Sequence, residues 1–254
     1  MANVNGKVVD TPIIYFLDKS YVRLEAITGT DLTAVNAARV SYDKKVYEFS
    51  EKDKRLIRFL AQNAHTSPFR HAFATFEIYV PLFVARQHWK HIIGSDHEEL
   101  PSDGVPPRRD PFTAWNETSR RYVTEEPQFY VVPPDGWRSV PENKKQGSGK
   151  PLPIEIGQQL TEELLKAYDE GVQRYEKAME MGVAPELARL FLPAYGLQVR
   201  YYWSASLQGI AHFLHLRLGK DAQSEIQALA KAVYELTVKY FPVSLEELLQ
   251  GKGV

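Results

Sequence analysis

Apolar positions recur along this chain at spacings that predict a series of elements. Val22 to Ile27 is an aliphatic run that stops at Gly29, which predicts a short strand, and Asp31 is placed to cap a helix through about Val40. Ser50 to Asn63 reads as a second helix with Leu56, Ile57, Phe59 and Leu60 on its apolar side. Phe76, Ile78 and Val80 then alternate with Glu77 and Tyr79, the period of a half-buried strand. Pro81 closes that strand, and a helix beginning near Leu82 runs toward His91.

The pattern breaks from Gly94 to Pro111, where Gly, Pro, Asp and Arg dominate, and again from Pro133 to Pro153. Stretches this long inside a compact domain are usually functional or disordered. The C-terminal half returns to helical periodicity. Leu160, Leu164, Tyr168, Val172 and Tyr175 form one stripe; Ile226, Leu229, Ala230, Val233 and Leu236 form another. Between them, Leu197 to Trp203 is a β-branched and aromatic strand, followed by a helix ending near Arg217. Helices and strands mixed without a βαβ rhythm predict an α+β fold. No repeat or clean linker divides residues 1–254, so one domain with long loops at about 94–113 and 133–153 is expected.

Composition narrows the classes of function. The 254 residues are 44% hydrophobic and 25% charged, which is globular rather than disordered. Lys and Arg number 31 against 32 acidic residues, a balance that argues against a dedicated nucleic-acid binder while allowing a local basic pocket. There is no cysteine, which removes disulfides, Cys-ligated zinc, iron–sulfur clusters and any thiol nucleophile. Met1 to Thr11 holds no apolar run suited to a secretory signal, and Ile78 to Ala85 falls far short of the ~20 residues that span a bilayer. A soluble cytoplasmic protein with no membrane or nucleic-acid partner is the expectation.

No dinucleotide glycine fingerprint, P-loop, nucleophile elbow or EF-hand loop is present. His88 and His91 lie three apart, as do His212 and His215, but without a carboxylate or cysteine at ligand spacing, so no metal is expected. Three clusters stand out. On a helix, Arg86 and Lys90 are i,i+4 neighbours, as are Gln87 and His91; the basic pair either faces an anion or forms a solvated face. If Asn116 to Tyr122 is extended, Glu117, Ser119 and Arg121 share one face, suited to a polar heterocycle and a phosphate or to a charged strand edge. Arg189, Arg200 and Arg217 sit among apolar neighbours, where a buried guanidinium needs a carboxylate or a ligand phosphate.

These clusters fall into an ordered set of segments: Ala38 to Tyr42, His65 to His71, Phe83 to Gln87, Asn116 to Tyr122, Ala188 to Leu190 with Leu192-Pro193, and Phe213 to Arg217 with Ala222-Gln223 and Glu225-Ile226. Over nearly its whole length the sequence resembles the flavin-dependent thymidylate synthases. The resemblance implies their fold, a central mostly antiparallel sheet flanked by helices with a helical C-terminal half. It also implies their reaction, reductive methylation of dUMP to dTMP. Methylenetetrahydrofolate gives the carbon and NAD(P)H the electrons, through bound FAD, in a homotetramer that shares its active sites. The absence of cysteine agrees, because the other class of thymidylate synthase adds a thiol to the pyrimidine.

Residue by residue, the family pattern places Ser41, His65, Lys90, His91, Glu117 and His212 at the cofactor. Gln87, Glu117, Ser119, Arg121, Arg189 and Arg217 fall at nucleotide positions. Arg121 and Arg189 would hold the phosphate, and Arg217 would reach and polarise the pyrimidine. Ser119 stands beside Arg217 among the catalytic assignments, in a hydrogen-bonding role, since no partner base is evident. The sequence departs from the family where Arg-His-Arg becomes Lys90-His91-Ile92, where residues 94–113 are inserted, and where Ala114 replaces a serine. Arg108 and Arg109 in that insertion are further candidates for flavin contact. Two other readings stand beside the main one: the same chemistry on another pyrimidine nucleotide such as dCMP, or a relative that binds nucleotide without turnover.

Overall fold

A computed structural model of the chain describes residues 2–4, 7–9, 13–93, 114–118, 126–141 and 147–250. Its centre is one sheet built from β1 (Ala2–Val4), β2 (Lys7–Val9), β3 (Ile13–Phe16), β4 (Ser20–Thr28), β5 (Phe73–Pro81), β6 (Ala114–Glu117) and β7 (Gln198–Ser206). The strand order is β2-β1-β4-β5-β7-β6, with β3 also on β4. Among these described strands every pairing is antiparallel except β1 with β4.

Period-two alternation gives this sheet two chemically different faces. Val22, Leu24, Phe76, Ile78, Tyr201 and Trp203 point into the core, and the register sets Ile78 opposite Tyr201 and Phe76 opposite Trp203. On the other face Glu77 is buried, accepting hydrogen bonds from Tyr21 and from Arg23. Burial alone would raise the Glu77 carboxyl; those hydrogen bonds and the Arg23 charge outweigh it, and its pKa is lowered.

The helices are α1 (Asp31–Arg39), α2 (Glu51–Gln62), α3 (Leu82–Ile93), α4 (Ile154–Glu180), α5 (Pro185–Ala188), α6 (Leu207–Arg217), α7 (Ser224–Thr237) and α8 (Pro242–Gln250). With the core face of the sheet, α1, α2, α3, α6, α7 and α8 enclose the main apolar cluster, centred on residues such as Phe69, Phe213, Leu229 and Phe241. A second cluster of Tyr175, Ala178, Ala188 and Leu192 ties α4 to α5. All five residues of the stripe Ile226 to Leu236 are buried, as the periodicity predicts. None of the described helices is long and apolar enough to cross a membrane.

Two local expectations are corrected. Thr30, not Asp31, is the N-cap of α1, because its backbone is extended and it closes a capping box with Thr33. The Asp31 carboxylate instead accepts from the backbone N–H groups of Val243 and Ser244 at 3.0 and 2.8 Å. It therefore caps α8, a helix far away in sequence. Phe59 does not join the apolar side of α2; it is 54% exposed and stacks on His65 with ring centroids 5.9 Å apart.

Candidate active site

The site is built where β5 passes directly into α3. Pro81 ends the strand, and the Leu82 N–H donates to the Leu197 carbonyl at 2.8 Å, so the start of α3 is pinned to the segment entering β7. This directs the last turn of α3 toward the last turn of α6. There, Arg217 Nε donates to His91 Nε2 at 2.8 Å. Both sit where a helix C-terminus favours positive charge. His91 is nonetheless neutral: burial, the Arg217 guanidinium and then His212 push its pKa down to about 4. As Nε2 accepts from Arg217, the remaining ring proton of neutral His91 lies on Nδ1. His212 lies with its ring centroid 6.1 Å from that of His91, and its own pKa is lowered by burial and by His215.

Among the described residues the Nη groups of Arg217 make no hydrogen bond, so its charge and four N–H donors remain available. The three-arginine expectation is corrected in one respect: Arg189 is exposed, and Arg200 and Arg217 are half-buried. The first partner of Arg217 is an imidazole rather than a carboxylate. Arg189 donates through Nε to the Glu186 carbonyl at 3.0 Å, at the junction after α5.

One turn before His91, Gln87 Nε2 donates to Gln223 Oε1 at 2.6 Å. Two residues further along the chain, Glu225 accepts from Arg138 Nη2 at 2.6 Å. Gln223, Glu225 and Arg138 line a cavity of about 510 Å³ together with aromatic residues that include Tyr130, Trp137 and Tyr168. Sequence reasoning placed Gln223 and Glu225 in a family segment without giving them a role, and it missed Arg138 entirely. An isolated Arg in an irregular stretch carries no periodic signal; only the fold brings it to Glu225.

β6 supplies the carboxylate. It pairs with β7, setting Trp115 opposite Trp203 and Glu117 opposite Tyr201. The Trp115 and Tyr201 rings stack at 3.6 Å, and buried His88 approaches the Tyr201 hydroxyl with Nδ1 at 2.9 Å. This packing fixes the strand that carries Glu117. Partial removal from water raises the Glu117 pKa against the opposing pull of the Trp115 side chain, Arg189 and Arg86. Arg86, Arg189 and Glu117 therefore belong to one electrostatic neighbourhood, as a phosphate or polar-heterocycle site requires.

The structure thus brings together Gln87, His91, His212 and Arg217 on two packed helices, with Arg189 near Glu117. Lys90 is exposed at the end of α3. Ser41 is exposed in the 3-10 turn Val40–Tyr42, and exposed His65 follows α2. Ser119, Arg121, Arg108 and Arg109 lie outside the described residues, as does the side chain of Ile92.

Comparison with known proteins places this geometry in context. The model of the family described as thymidylate synthase complementing protein matches residues 23–243. A flavin-dependent thymidylate synthase of Thermosipho melanesiensis is 34% identical over 234 residues, covering 92% of both chains. One from Thermus thermophilus is 34% identical over 239 residues, covering 92% of this chain and 79% of its own. Among solved structures, the UMP/dUMP methylase PolB from Streptomyces cacaoi, bound with 5-Br UMP, aligns with a TM-score of 0.74. It is 26% identical, over 92% of this chain and 96% of its own.

Proposed function

The chain belongs to the thymidylate synthase complementing protein family, and from that membership and the site we propose that it methylates dUMP to dTMP with a bound flavin. The observation that carries this reading is the pair Arg217–His91, 2.8 Å apart and one helical turn from Gln87, on the segments the family pattern assigns to nucleotide and cofactor. Methylenetetrahydrofolate is the carbon donor and NAD(P)H the reductant. The hydrogen at uracil C5 is replaced by a methyl group, with one carbon from the folate and two electrons from the nicotinamide.

The donor set fits a flavin and its nucleotide tail. Half-buried Arg217 has unused N–H groups, neutral His91 offers Nδ1–H, and Ser41, His65, Lys90 and His212 add donors of both charge types. FAD bound by these residues supplies two-electron redox chemistry that no side chain of this cysteine-free chain possesses. The protein's own work is binding and polarisation. Arg189 and Arg121 hold the phosphate as charge-assisted donors, and Glu117 and Ser119 position the ribose and base. Arg217 lowers the barrier by meeting negative charge that develops on the pyrimidine carbonyl, oriented for that task by His91. We place the enzyme in the cytoplasm as a homotetramer with shared sites, acting as a single domain.

A second reading has one observation behind it: PolB is named for both UMP and dUMP, so the ribonucleotide is a competing substrate. Calorimetric titration of the flavin-loaded protein with dUMP and with UMP tests both. Tighter binding of dUMP supports the main reading. Equal or tighter binding of UMP moves the assignment to the second, and binding of neither removes the nucleotide assignment.

A further inference from the structure

The cavity beside Gln223 is a compartment of its own. Gln87, His91, Glu117, Arg189 and Arg217 are not among its lining residues, and at about 510 Å³ it has the size of a small-molecule pocket. Its aromatic rings have their polar ends tied to the protein: Trp137 Nε1 donates to Thr161 Oγ1 at 2.9 Å, and the Tyr168 hydroxyl donates to the Tyr130 carbonyl at 2.8 Å. What Trp137 and Tyr168 offer the cavity is therefore apolar ring surface, which suits a flat ring system. Arg138 and Glu225 are the charged groups of the lining, and they meet through one hydrogen bond, Arg138 Nη2 to Glu225 Oε1 at 2.6 Å. The rest of the pair is idle. Arg138 Nε and Glu225 Oε2 are buried, and neither makes a hydrogen bond among the described residues. Glu225 itself is only 4% exposed. Burial pushes its pKa up, but hydrogen bonding led by Arg138 outweighs this and lowers it, so the carboxylate is ionised and can only accept. A buried donor and a buried acceptor on one ion pair cost free energy until something pairs with both. The last torsion of a glutamate side chain is soft, so Oε2 can turn toward the cavity at little cost.

We propose that this cavity is a second binding site, for an uncharged planar heterocycle with a lactam edge: its ring N–H donates to Glu225 Oε2 and the adjoining carbonyl accepts from Arg138 Nε–H, with the ring against Trp137 and Tyr168. The ligand class follows from the lining. One idle acceptor and one idle donor take a partner that offers a donor next to an acceptor, and a ring edge with acceptors alone leaves the carboxylate facing its like. Sites with buried polar groups reject such a ligand strongly. The charges of Arg138 and Glu225 offset each other, so a phosphate gains no net attraction here and the cavity does not duplicate a nucleotide site. Guanine and pterin both carry the required edge. The site stands independently of the reaction proposed above, although Gln223 lines the cavity and accepts from Gln87 at 2.6 Å, so the two compartments share a hydrogen-bonded boundary.

The test is calorimetric titration of flavin-loaded protein with guanosine and, separately, with 6-methylpterin, in the presence of saturating dUMP so that the nucleotide site is filled. Binding of at least one probe is expected, and the tighter of the two identifies the source of the ring. Methylating the lactam nitrogen, as in 1-methylguanosine or 3,6-dimethylpterin, should weaken binding by about ten-fold or more, because a hydrogen bond to a charged acceptor is lost. Leu164→Trp fills the cavity from α4 and leaves the Arg138–Glu225 pair in place. It should abolish probe binding while dUMP affinity stays that of the unaltered protein. The proposal is overturned if neither probe binds, if the methylated probe binds as tightly as its parent, or if binding survives undiminished in Leu164→Trp. The methylated probes are read on the unaltered protein, so that comparison decides the matter even if the variant fails to fold.

Discussion

At the scale of single residues, the most consequential is an imidazole that stays neutral. His91 has a folded pKa of about 4 against an ordinary value of 6.5, so between those values the unfolded chain binds a proton that the native site refuses. The stability it contributes is present above about pH 6.5 and is lost as pH falls toward 4, on the order of 3 kcal/mol. Buried His88 and half-buried His212 are shifted in the same direction. Chemical denaturation at a series of pH values should therefore show stability declining across this window, less steeply in His91→Asn. A slope unchanged by that substitution would mean His91 titrates normally. Exposed Arg189 offers a contrasting case. Arg189→Ala should leave the melting temperature nearly unchanged but weaken dUMP binding by about 1.5–3 kcal/mol, read by calorimetry. Residue chemistry was partly legible in the sequence. His91, Gln87 and Arg217 stood out by type and spacing, but their partners did not. Nothing in the local sequence says that Asp31 caps a helix more than two hundred positions away, or that Arg138 meets Glu225. Such pairings are properties of the folded chain.

At the scale of elements, legibility followed the strength of the periodic signal. α2 and α3 were expected close to both observed bounds, β5 and α6 close to their C-terminal ends, and α7 through its apolar stripe, because each carries an apolar face, a capping residue or a proline at its boundary. α8 and the short strands β1, β2, β3 lacked such signals and went unread. What the periodicity also hid is how closely some elements approach. In α4, a Cβ on Gly157 would sit 1.8 Å from the Pro134 carbonyl oxygen, so the helix lies against the 3-10 turn Pro134–Gly136 only because that position has no side chain. A Cβ on Gly196 would meet the Tyr168 hydroxyl at 2.0 Å, next to the cavity. Gly157→Ala forces backbone against backbone and should destabilise by about 1–3 kcal/mol or more, despite alanine's higher helix propensity. Thermal and denaturant unfolding check this, and a stabilised variant would contradict the close approach.

At the scale of the whole molecule, the α+β class could be read from the alternation of element types, but the strand order could not. Pairing β5 between β4 and β7 brings together segments separated by more than a hundred residues, and no local pattern encodes that choice. Topology matters here because it does the assembling. By setting β7 beside β5, the sheet delivers α6 to α3 and so Arg217 to His91; by adding β6 to β7 it brings Glu117 to the same side. The family resemblance read from ordered motifs agrees with the family match over residues 23–243, and two of those motifs, Phe83 to Gln87 and Phe213 to Arg217, lie on the packed helices α3 and α6.

The central claim, methylation of dUMP by a flavin-loaded protein, is tested most directly by the mass of the nucleotide product. The purified protein is incubated anaerobically with FAD, NADPH, methylenetetrahydrofolate and dUMP, with Arg217→Ala in parallel. The account predicts dTMP from the unaltered protein and a large loss of its formation in the variant. Recovery of unchanged dUMP from a protein whose bound flavin is reduced normally would contradict it.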